Sequence, residues 1–521
     1  SEDIEDVADR GELEEISGVG AALAEKIREY LETGTIEYYQ KLKEELPVDI
    51  EALTRVEGVG PKTVKKLYKE LGIEDLEDLE EAAEEGKIAA IEGFGEKTEE
   101  NILDHIGLAK KSQERMILGE AVPIAREIVQ RLEETGELNR LEVAGSYRRR
   151  KPTVGDLDIL ATAEDPEKAM EEFVSLEGVK EVLNKGDTKS SVVLFNGLQV
   201  DLRIVEEDSY GSALQYFTGS KDHNIVMRSR AVDRGLKLNE YGLFDGEDRV
   251  AGEKEGQIYE KLGLSWIEPE LRENTGEIEE AGKDQLPELV ERKDLKGDLQ
   301  MHTEASDGSS SIKDMAEKAE EMGYEYILIT DHGPELDIAG GLGLEEFKEQ
   351  KERIEELNGD MDIEILHGAE LDVTEEGLSF TPEQCEMFDL LLAAVHIKPE
   401  NPTESIIEVF EEYPVDIFGH PLNRKLNERE PLDLDLDRVV KKAEEENIAI
   451  EINAQPRRLD LPWNLVKKYR EKVKFVISTD AHSPSELDLV NFGVWQARKG
   501  WCSSDNILNT SSLEEVKAHF D

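Results

Sequence analysis

Three aspartates have the spacing that metal-dependent phosphate chemistry needs. Asp156 and Asp158 alternate with apolar residues in GDLDIL, and Asp201 opens the later apolar run VDLRIV. Alternate residues of a β-strand lie on one face, so Asp156 and Asp158 are predicted to leave the same face. Three carboxylates on neighbouring strands can hold two Mg²⁺ ions, which align an attacking hydroxyl with a departing pyrophosphate.

Residues upstream of these aspartates have the chemistry to hold phosphate. Gly145 and Ser146 form a turn that can approach phosphate oxygens, and RRRK at 148–151 is a local basic cluster. A D-x-D spacing is weak evidence by itself in a chain with 122 acidic residues, and we assign DLDLD at 433–437 to a solvent-exposed face. The turn, the basic cluster and the third aspartate together predict a triphosphate site.

A second group of polar residues follows short apolar runs in the last third of the chain. The runs are GDLQMH, YILITDH, IEILHGAE, LLLAAVH, DIFGH, IAIEIN and KFVISTDAH, with helical stretches between most of them. This alternation predicts seven parallel strands in a barrel, where strand ends converge on one site. The ends carry His302, His332, Glu370, His396, His420, Asp480 and His482. Histidines and carboxylates predict a metal site, although a glutamine, Gln300, stands two residues before His302.

A glycine pattern recurs in residues 1–110. ISGVGAALAEKI, VEGVGPKTVKKL and IEGFGEKTEENI each place Gly-apolar-Gly before a new helix. The glycines allow a tight turn, and the free N–H groups of the helix start can hold a phosphate. A single copy would equally suit an ordinary glycine cap, but three copies resemble helix-hairpin-helix motifs that bind the DNA backbone. The predicted contacts are Gly18, Gly20, Gly58, Gly60, Gly93 and Gly95.

Composition limits the remaining possibilities. A chain of 521 residues predicts three or four domains, and no apolar run approaches the roughly 18 to 20 residues of a membrane span. Cys385 and Cys502 lie far apart in sequence, which excludes a disulfide framework and a cysteine-rich zinc module. We predict a soluble, cytoplasmic monomer without membrane partners. The chain starts at Ser1 with a helical pattern, which is typical of a fragment or a processed protein.

The net charge of −60 is unusual, and the acidic residues are spread through every segment. Such a surface is typical of proteins from halophilic prokaryotes, since concentrated salt screens the self-repulsion. A strongly basic partner is the alternative explanation. Charge alone disfavours nucleic-acid binding, because phosphate contacts favour basic surfaces.

The sheet motifs carry a family resemblance. GSYRR, GDLDIL and VDLRIV are similar to the palm of nucleotidyltransferases, and YFTGSKDHNIVMR with LNEYGLF resembles the nucleotide-binding region of family X DNA polymerases, the family of DNA polymerase beta. The resemblance implies that Asp156 and Asp158 bind two Mg²⁺ or Mn²⁺ ions and that Asp201 completes the ion activating the primer 3′-hydroxyl. It also implies nucleotide contacts, with Gly145, Ser146, Arg149 and Gly155 on the triphosphate, Tyr216, Phe217 and Gly219 on the sugar, and Asn224 on the base edge or minor groove. Lys221 departs from the pattern, since polymerase beta has an acidic residue there.

The barrel resembles the polymerase and histidinol phosphatase (PHP) domain that follows the core of many prokaryotic family X enzymes. The resemblance implies up to three Mn²⁺ or Zn²⁺ ions and 3′–5′ exonuclease activity. Its ligand positions match His302, Asp307, His332, Glu370, His396, His420, Asp480 and His482. The remaining position is Gln300, whose neutral amide oxygen is a weak ligand, so a cluster kept for stability alone is the alternative. Arg424 and Arg457 could hold the substrate phosphate or pair with carboxylates.

Lys26 matches the lysine of polymerase beta that forms a Schiff base with a 5′-deoxyribose phosphate. A solvated helix lysine is the favoured interpretation, so we do not expect 5′-deoxyribose phosphate lyase activity.

These interpretations predict a multidomain α+β and α/β protein. We expect an N-terminal helix-hairpin-helix remainder at 1–45, a helix-hairpin-helix DNA-binding domain at 46–110, a palm with a mixed sheet at 111–205, a thumb at 206–275, a linker at 276–292 and a distorted (β/α)7 barrel at 293–521. The expected function is gap-filling DNA repair synthesis on gapped or primed DNA with deoxynucleoside triphosphates. The alternatives are a PHP nuclease as the main activity and a non-catalytic DNA-end scaffold.

Overall fold

The computed structural model of the protein describes residues 59–91, 115–335 and 339–520, with isolated positions at 24, 26, 48, 53, 54, 56, 94, 95, 97–99, 102, 103 and 106. The chain forms two compact units, Ser1–Arg115 and Met116–Asp521. Within the described residues, no helix combines the length and apolarity that crossing a membrane requires.

The described part of the first unit is helical. Its helices Pro61–Leu71 and Leu76–Glu84 bury one apolar face each, with Leu67 and Leu79 fully buried. Gly72 ends the first helix in the left-handed region, at φ 73°, which an L side chain rarely adopts. Asp75 caps the second helix by accepting hydrogen bonds from two backbone N–H groups. The predicted helical character of this segment is therefore confirmed where the structure describes it.

The second unit begins with a mixed sheet. Strands β1 (Met116–Ile117) and β3 (Thr153–Val154) form a short pair. The five other strands are β2 Leu138–Val143, β4 Asp156–Ala163, β5 Val179–Lys185, β6 Lys189–Leu194 and β7 Gln199–Ile204. They form one sheet in the order β2-β4-β7-β6-β5. Strands β4 and β7 are parallel and the other neighbours antiparallel, so the predicted mixed sheet is confirmed.

Each face of this sheet carries different helices. Leu118–Glu134 and Pro166–Val174 pack on the face that holds Leu157 and Ile159. The opposite face, with Leu160, meets Ala213 of helix Tyr210–Thr218. The apolar run SVVLFNGLQVDLRIV forms two strands, because the Asn-Gly pair at 196–197 makes a turn, with φ 89° at Gly197.

A smaller helical region follows the sheet. It contains the three-stranded sheet β8 (Lys237–Asn239), β9 (Gly242–Asp245) and β10 (Asp248–Ala251), in the order β10-β9-β8. Helices and short 3₁₀ turns complete it. Besides the short helix Gly145–Arg148 in the sheet region, the helices are Tyr210–Thr218, Lys221–Val232 and Glu255–Lys261, and the turns are Glu207–Ser209 and Pro269–Leu271.

The segment 276–292, for which the sequence predicts a linker, is packed. Residues Glu277–Ala281 form a helix in which Ile278 is buried. Val290 is also buried, and its N–H donates to the carbonyl of Cys502 over 3.0 Å. Charged residues here do not indicate exposure, because Glu277 is itself buried and accepts a hydrogen bond from His223 over 2.7 Å.

The barrel contains the seven predicted strands, in sequence order and all parallel. They are β11 Gly297–Met301, β12 Tyr326–Ile329, β13 Glu364–Asp372, β14 Leu390–Ala394, β15 Ile417–Phe418, β16 Ala449–Asn453 and β17 Phe475–Ser478. A parallel bridge between Met301 and Ala481 joins the first strand to the last, so the predicted barrel is confirmed.

Helices surround these strands and separate most of them. They are Ile312–Glu321, Leu344–Asn358, Pro382–Cys385, Pro402–Glu412, Leu436–Glu445, Trp463–Tyr469, Val490–Lys499 and Leu513–Phe520. Short 3₁₀ turns lie at Arg292–Asp294, Pro484–Leu489, Ser504–Asn506 and Leu508–Thr510. Apolar side chains on both faces of the strands are buried, which explains why these strands read as continuous apolar runs.

The sheet region and the barrel share an apolar contact. Leu118 and Val122 from helix Leu118–Glu134 pack with Leu459 and Phe492 of the barrel. The approach is close, because a Cβ atom built on Gly119 would lie 2.2 Å from Cβ of Pro456.

Candidate active sites

The sheet carboxylates meet where β4 and β7 run side by side. The parallel register places Asp158 opposite Asp201 and Asp156 opposite Gln199. Asp156 is exposed, Asp158 is half-buried and Asp201 is buried. The side chains that alternate with them along both strands point to the opposite face, against which helices Leu118–Glu134 and Pro166–Val174 pack. The three predicted carboxylates therefore share one face of the sheet.

The carboxylates on this face repel one another, and a bound cation would reduce that repulsion. Burial raises the pKa of Asp158 to about 7, and the charges of Asp156 and Asp201 act in the same direction. Lys189 lies 3.1 Å from Asp201, whose other oxygen accepts a 2.8 Å hydrogen bond from Gln199. Oxygen ligands with unrelieved negative charge fit Mg²⁺ or Mn²⁺.

Gly145 is required beside these carboxylates. Its φ is 62°, and a Cβ atom there would lie 2.7 Å from Oδ2 of Asp158. The adjacent N–H of Ala144 donates to the carbonyl of Asp158 over 2.7 Å. The turn of Gly145 and Ser146 therefore lies against the carboxylate site, and Gly155 immediately precedes β4.

Arg149, the predicted triphosphate contact, is engaged by protein groups. Its Nε donates to Glu273 Oε1 over 3.2 Å, and its Nη1 donates to the carbonyl of Thr218. A Cβ atom on Gly219, whose φ is 66°, would lie 3.1 Å from the same Nη1. Arg149 thus joins the carboxylate site to the predicted sugar-contact segment.

The other predicted nucleotide contacts lie at that segment. Asn224 donates to the carbonyl of Tyr216 over 2.7 Å and accepts from Gln215 over 2.8 Å. The guanidinium of Arg203 lies 4.5 Å from the ring centre of Phe217. These bonds hold the end of helix Tyr210–Thr218 against the helix that begins at Lys221.

The barrel brings its predicted ligands together at the carboxyl ends of its strands. Among the described residues, sets of three or more side chains whose donor atoms lie within 4.8 Å of one another occur only here. The sets are His302, Asp307, His332 and His482, then His332, Glu370 and His396, then His302, Glu370 and Asp480. The sheet carboxylates are thus more widely spread than the barrel ligands.

Glu370 is the centre of the barrel cluster. One of its oxygens lies 2.9 Å from His420 Nε2 and 3.6 Å from His396 Nε2. The other lies 3.3 Å from His302 Nε2 and 3.5 Å from His332 Nδ1. A buried carboxylate that faces four imidazoles forms a donor set that would suit transition-metal ions.

The pKa values of the cluster follow from this pairing. Burial alone would raise the pKa of Glu370, but the neighbouring histidines hold it well below its usual value. Burial alone would lower the pKa of His302, but Asp480 and Glu370 raise it well above the usual value. Metal binding needs neutral imidazoles, so protons and metal ions would compete for these atoms.

Gln300 lies buried at the start of this cluster, on the strand that carries His302. Within the described part of the chain, neither its amide oxygen nor its amide nitrogen has a hydrogen-bond partner. A buried polar group is normally satisfied. An amide oxygen aimed at a metal position would account for the unpartnered oxygen.

Four buried carboxylates around the cluster were missed from the sequence: Asp298, Asp331, Asp372 and Glu451. Asp372 accepts from the backbone N–H and the Nδ1 of His396, over 2.7 and 3.1 Å, and so orients that ring. Glu451 accepts from the N–H of His420 over 2.6 Å. Asp372 follows Glu370 by two residues on β13, and this alternation was the available signal.

The predicted phosphate-binding arginines of the barrel are not brought together. Arg424 is committed to backbone carbonyls, since it donates to Arg458 over 2.9 Å and also to Leu459. Arg457 is exposed, 3.8 Å from Glu428. Arg458 instead reaches the cluster, with its Nε 3.7 Å from Asp480.

The remaining predicted residues lie in the first unit. Gly60 precedes helix Pro61–Leu71, and within the described residues no side chain caps that helix start. Gly95 accepts from the N–H groups of Thr98 and Glu99. Lys26 is helical and half-buried. Gly18, Gly20, Gly58 and Gly93 lie outside the described residues.

Four family models match consecutive parts of the chain. They are a helix-hairpin-helix tandem at residues 50–107, the DNA polymerase beta palm at 115–213, the DNA polymerase beta thumb at 213–273 and the PHP domain at 298–455. The order is the one that the sequence motifs predict.

Curated proteins match either nearly the whole chain or about half of it. The DNA polymerase/3′-5′ exonuclease PolX of Bacillus subtilis is 38% identical over 531 aligned residues, which cover 99% of this chain and 92% of that protein. DNA polymerase lambda of Arabidopsis thaliana is 27% identical over 50% of this chain and 53% of its own. DNA polymerase lambda of Rattus norvegicus is 29% identical over 50% of this chain and 48% of its own.

Proposed function

Since the chain belongs to the family X DNA polymerases that carry a PHP domain, we propose that it fills short gaps in DNA. The reaction is template-directed addition of deoxynucleotides to a primer 3′ end, followed by release of pyrophosphate. The protein acts as a monomer, with its DNA-binding, palm, thumb and barrel parts in the order given by the predicted domain boundaries.

One observation carries the proposal. Asp158 and Asp201 stand opposite each other on parallel strands, with Asp156 on the same face and Gly145 against Asp158. When bound, two Mg²⁺ or Mn²⁺ ions would favour the ionised primer 3′-hydroxyl and neutralise charge on the phosphates. Asp156 and Asp158 would hold both ions, and Asp201 the ion nearest the hydroxyl.

The residues around the carboxylates bind and orient the nucleotide. Ser146, Gly155 and Arg149 would hold the triphosphate, once Arg149 leaves Glu273. Tyr216, Phe217 and Gly219 would contact the sugar. Asn224, now bonded to the carbonyl of Tyr216, would turn toward the base edge. The glycine hairpins of the first unit, with Gly60 and Gly95 among them, would hold the DNA backbone through helix N–H groups.

The barrel supports a second activity, the removal of 3′-terminal nucleotides. Its donor sets share Glu370, His302 and His332, which suits a cluster of up to three Mn²⁺ or Zn²⁺ ions. Such ions would supply a nucleophile at neutral pH, and Arg458 lies close enough to the cluster to meet a substrate phosphate. Gln300 limits this activity by weakening one metal position.

The test is a denaturing gel of a labelled primer in a one-nucleotide gap with Mn²⁺, with and without nucleotides. Template-correct lengthening that is lost in Asp201→Ala, with DNA binding retained, is the expected result. Shortening without nucleotides that is lost in Asp480→Asn would assign trimming to the barrel. A primer that Asp201→Ala extends as fast as the unaltered protein would contradict the polymerase site, and an unaltered protein that never extends would favour the scaffold.

A further inference from the structure

Lys499 is a buried lysine that the barrel contributes to the predicted nucleotide site. It is the last residue of helix Val490–Lys499, and its side chain is fully buried. Its ammonium donates to Glu273 Oε1 over 2.6 Å, to the carbonyl of Arg149 over 3.1 Å and to the carbonyl of Glu270 over 3.1 Å. A lysine is rarely buried unless it is paired, so this position calls for an explanation.

Lys499 and Arg149 both donate a hydrogen bond to the same oxygen atom of Glu273. Glu273 Oε1 accepts both the 2.6 Å hydrogen bond from Lys499 and the 3.2 Å hydrogen bond from Arg149 Nε. The other oxygen of Glu273 is 3.8 Å from Lys151. Glu273 is therefore a largely buried carboxylate, with 10% of its side chain exposed, that has three nearby cations, and Lys499 makes the shortest contact.

The arrangement bears directly on nucleotide binding. A triphosphate held through the Nε–H of Arg149 must displace Glu273, because that one hydrogen cannot serve both anions at once. Lys499 remains bonded to Glu273 when Arg149 leaves, so the carboxylate keeps a positively charged partner. The bond from Lys499 to the carbonyl of Arg149 also fixes the backbone from which that side chain extends.

We propose that Lys499 is a positioning residue for the polymerase reaction, which makes Arg149 available to the incoming nucleotide by holding Glu273. The barrel thereby completes the nucleotide site of the core, separately from its own metal cluster. The proposal rests on the proposed polymerase function and on Arg149 as a triphosphate contact.

The test compares nucleotide binding and turnover on a one-nucleotide gap in the full chain. In Lys499→Met, Arg149 becomes the closest cation of Glu273, and we expect KM for the nucleotide to rise about tenfold, the scale of one charge-assisted hydrogen bond. The value of kcat is expected to stay within about twofold. The dissociation constant of the nucleotide, measured with a dideoxy-terminated primer, should rise with KM.

The double variant Lys499→Met with Glu273→Gln separates positioning from packing. It leaves no buried carboxylate to retain Arg149, so nucleotide affinity should return to within about threefold of the unaltered protein. A double variant as weak as Lys499→Met would mean that Lys499 acts only by docking the barrel, and would overturn the proposal.

Arg498→Met is the matched control. Arg498 is the preceding cation of the same helix and donates to Glu270 over 2.9 Å and to the carbonyl of Val290 over 3.3 Å. An equal rise of KM in Arg498→Met, or an unchanged KM in Lys499→Met, would also overturn the proposal. If Arg149→Met binds nucleotide normally, the assigned role of Arg149 fails instead, and if the unaltered protein never extends the primer, the proposed function fails.

Discussion

Glu255 organises a buried group of charges at the centre of the core. Arg148 holds it with two hydrogen bonds of 2.9 Å, and Arg272, which is fully buried, donates to the same carboxylate. Burial alone would raise the pKa of Glu255, but Arg272 and Arg148 outweigh burial and leave the pKa below its usual value. Arg148 thereby ties the sheet region to the helical region that contains Glu255 and Arg272.

Glu255→Gln is expected to lower the free energy of unfolding by about 3–5 kcal/mol, because Arg272 loses its buried counter-charge. Thermal and urea unfolding measure the loss. Glu404→Gln is the control, since Glu404 pairs with Arg438 at the surface, where about half of each side chain is exposed, and little or no loss is expected there. Equal losses in the two variants would contradict a special role for the buried group.

The same carboxylate predicts a sign for acid sensitivity. A carboxylate whose pKa is lower in the folded state stabilises the protein fully above its unfolded-state pKa, about 4.3 for glutamate. That stabilisation is lost as the pH falls through the lower folded-state pKa. The difference in unfolding free energy between the unaltered protein and Glu255→Gln should therefore shrink below about pH 4.3. A difference that stays constant down to pH 3 would refute this link.

Gln300 predicts a weakened metal position. Its amide is buried and unpartnered among the described residues, on β11 and two residues before His302. Gln300→His should strengthen Mn²⁺ binding at one position by at least about tenfold, a scale set by the loss that even outer-shell partners cause. Equilibrium dialysis of the protein against Mn²⁺ measures the affinity, and primer trimming should increase in parallel. Unchanged metal affinity would mean that the glutamine does not face a metal.

At the scale of elements, much of the fold was predictable because local patterns determine it. Six of the seven barrel strands are short apolar runs that lead to a predicted ligand, and all seven strands appear at the predicted places. Asp156 and Asp158 share a face because strand side chains alternate. The Asn-Gly turn between β6 and β7 carried a local signal as well.

Contacts between distant segments were not predictable in this way. Lys499 and Glu273 are 226 residues apart in sequence, and neither lies in a motif. The segment 276–292 is charged, low in apolar residues and without a clear period, which predicts a linker, but it contains the helix Glu277–Ala281, in which Glu277 is buried through its pairing with His223. Composition describes exposure only on average, whereas a partner elsewhere in the chain decides whether a given charge is buried.

The packing of elements predicts opposite effects for one substitution at two glycines. Gly119→Ala would place Cβ 2.2 Å from Pro456 and push helix Leu118–Glu134 away from the barrel, a cost of about 1–3 kcal/mol. Gly256 also lies in a first helical turn, but its nearest atom, on Trp266, would be 3.9 Å away. Gly256→Ala should therefore gain about 0.5–1 kcal/mol. Unfolding in urea measures the change in unfolding free energy for each variant. A loss of stability of the same size at both sites would contradict the close approach at Gly119.

At the scale of the whole molecule, the charge of −60 opposes the proposed function in dilute buffer. The molecule has 122 acidic and 62 basic residues, yet its proposed substrates are polyanions. Charges act over about 10 Å in 0.1 M salt and about 3 Å in 1 M salt. Concentrated salt therefore removes the general repulsion of DNA but leaves short contacts, such as helix N–H groups on phosphate, largely intact.

We accordingly expect gap filling and thermal stability to increase with KCl, with the highest activity at or above about 1 M, where an ordinary polymerase loses its phosphate contacts. Primer extension and thermal unfolding from 0.05 to 3 M KCl measure both quantities. Sucrose at equal osmolality is the control, because it favours compact states but does not screen charge. If sucrose increases activity and thermal stability as much as KCl does, charge screening is not the cause. If activity is highest in dilute buffer, the halophile interpretation is wrong, and a strongly basic partner becomes the better explanation for the acidic surface.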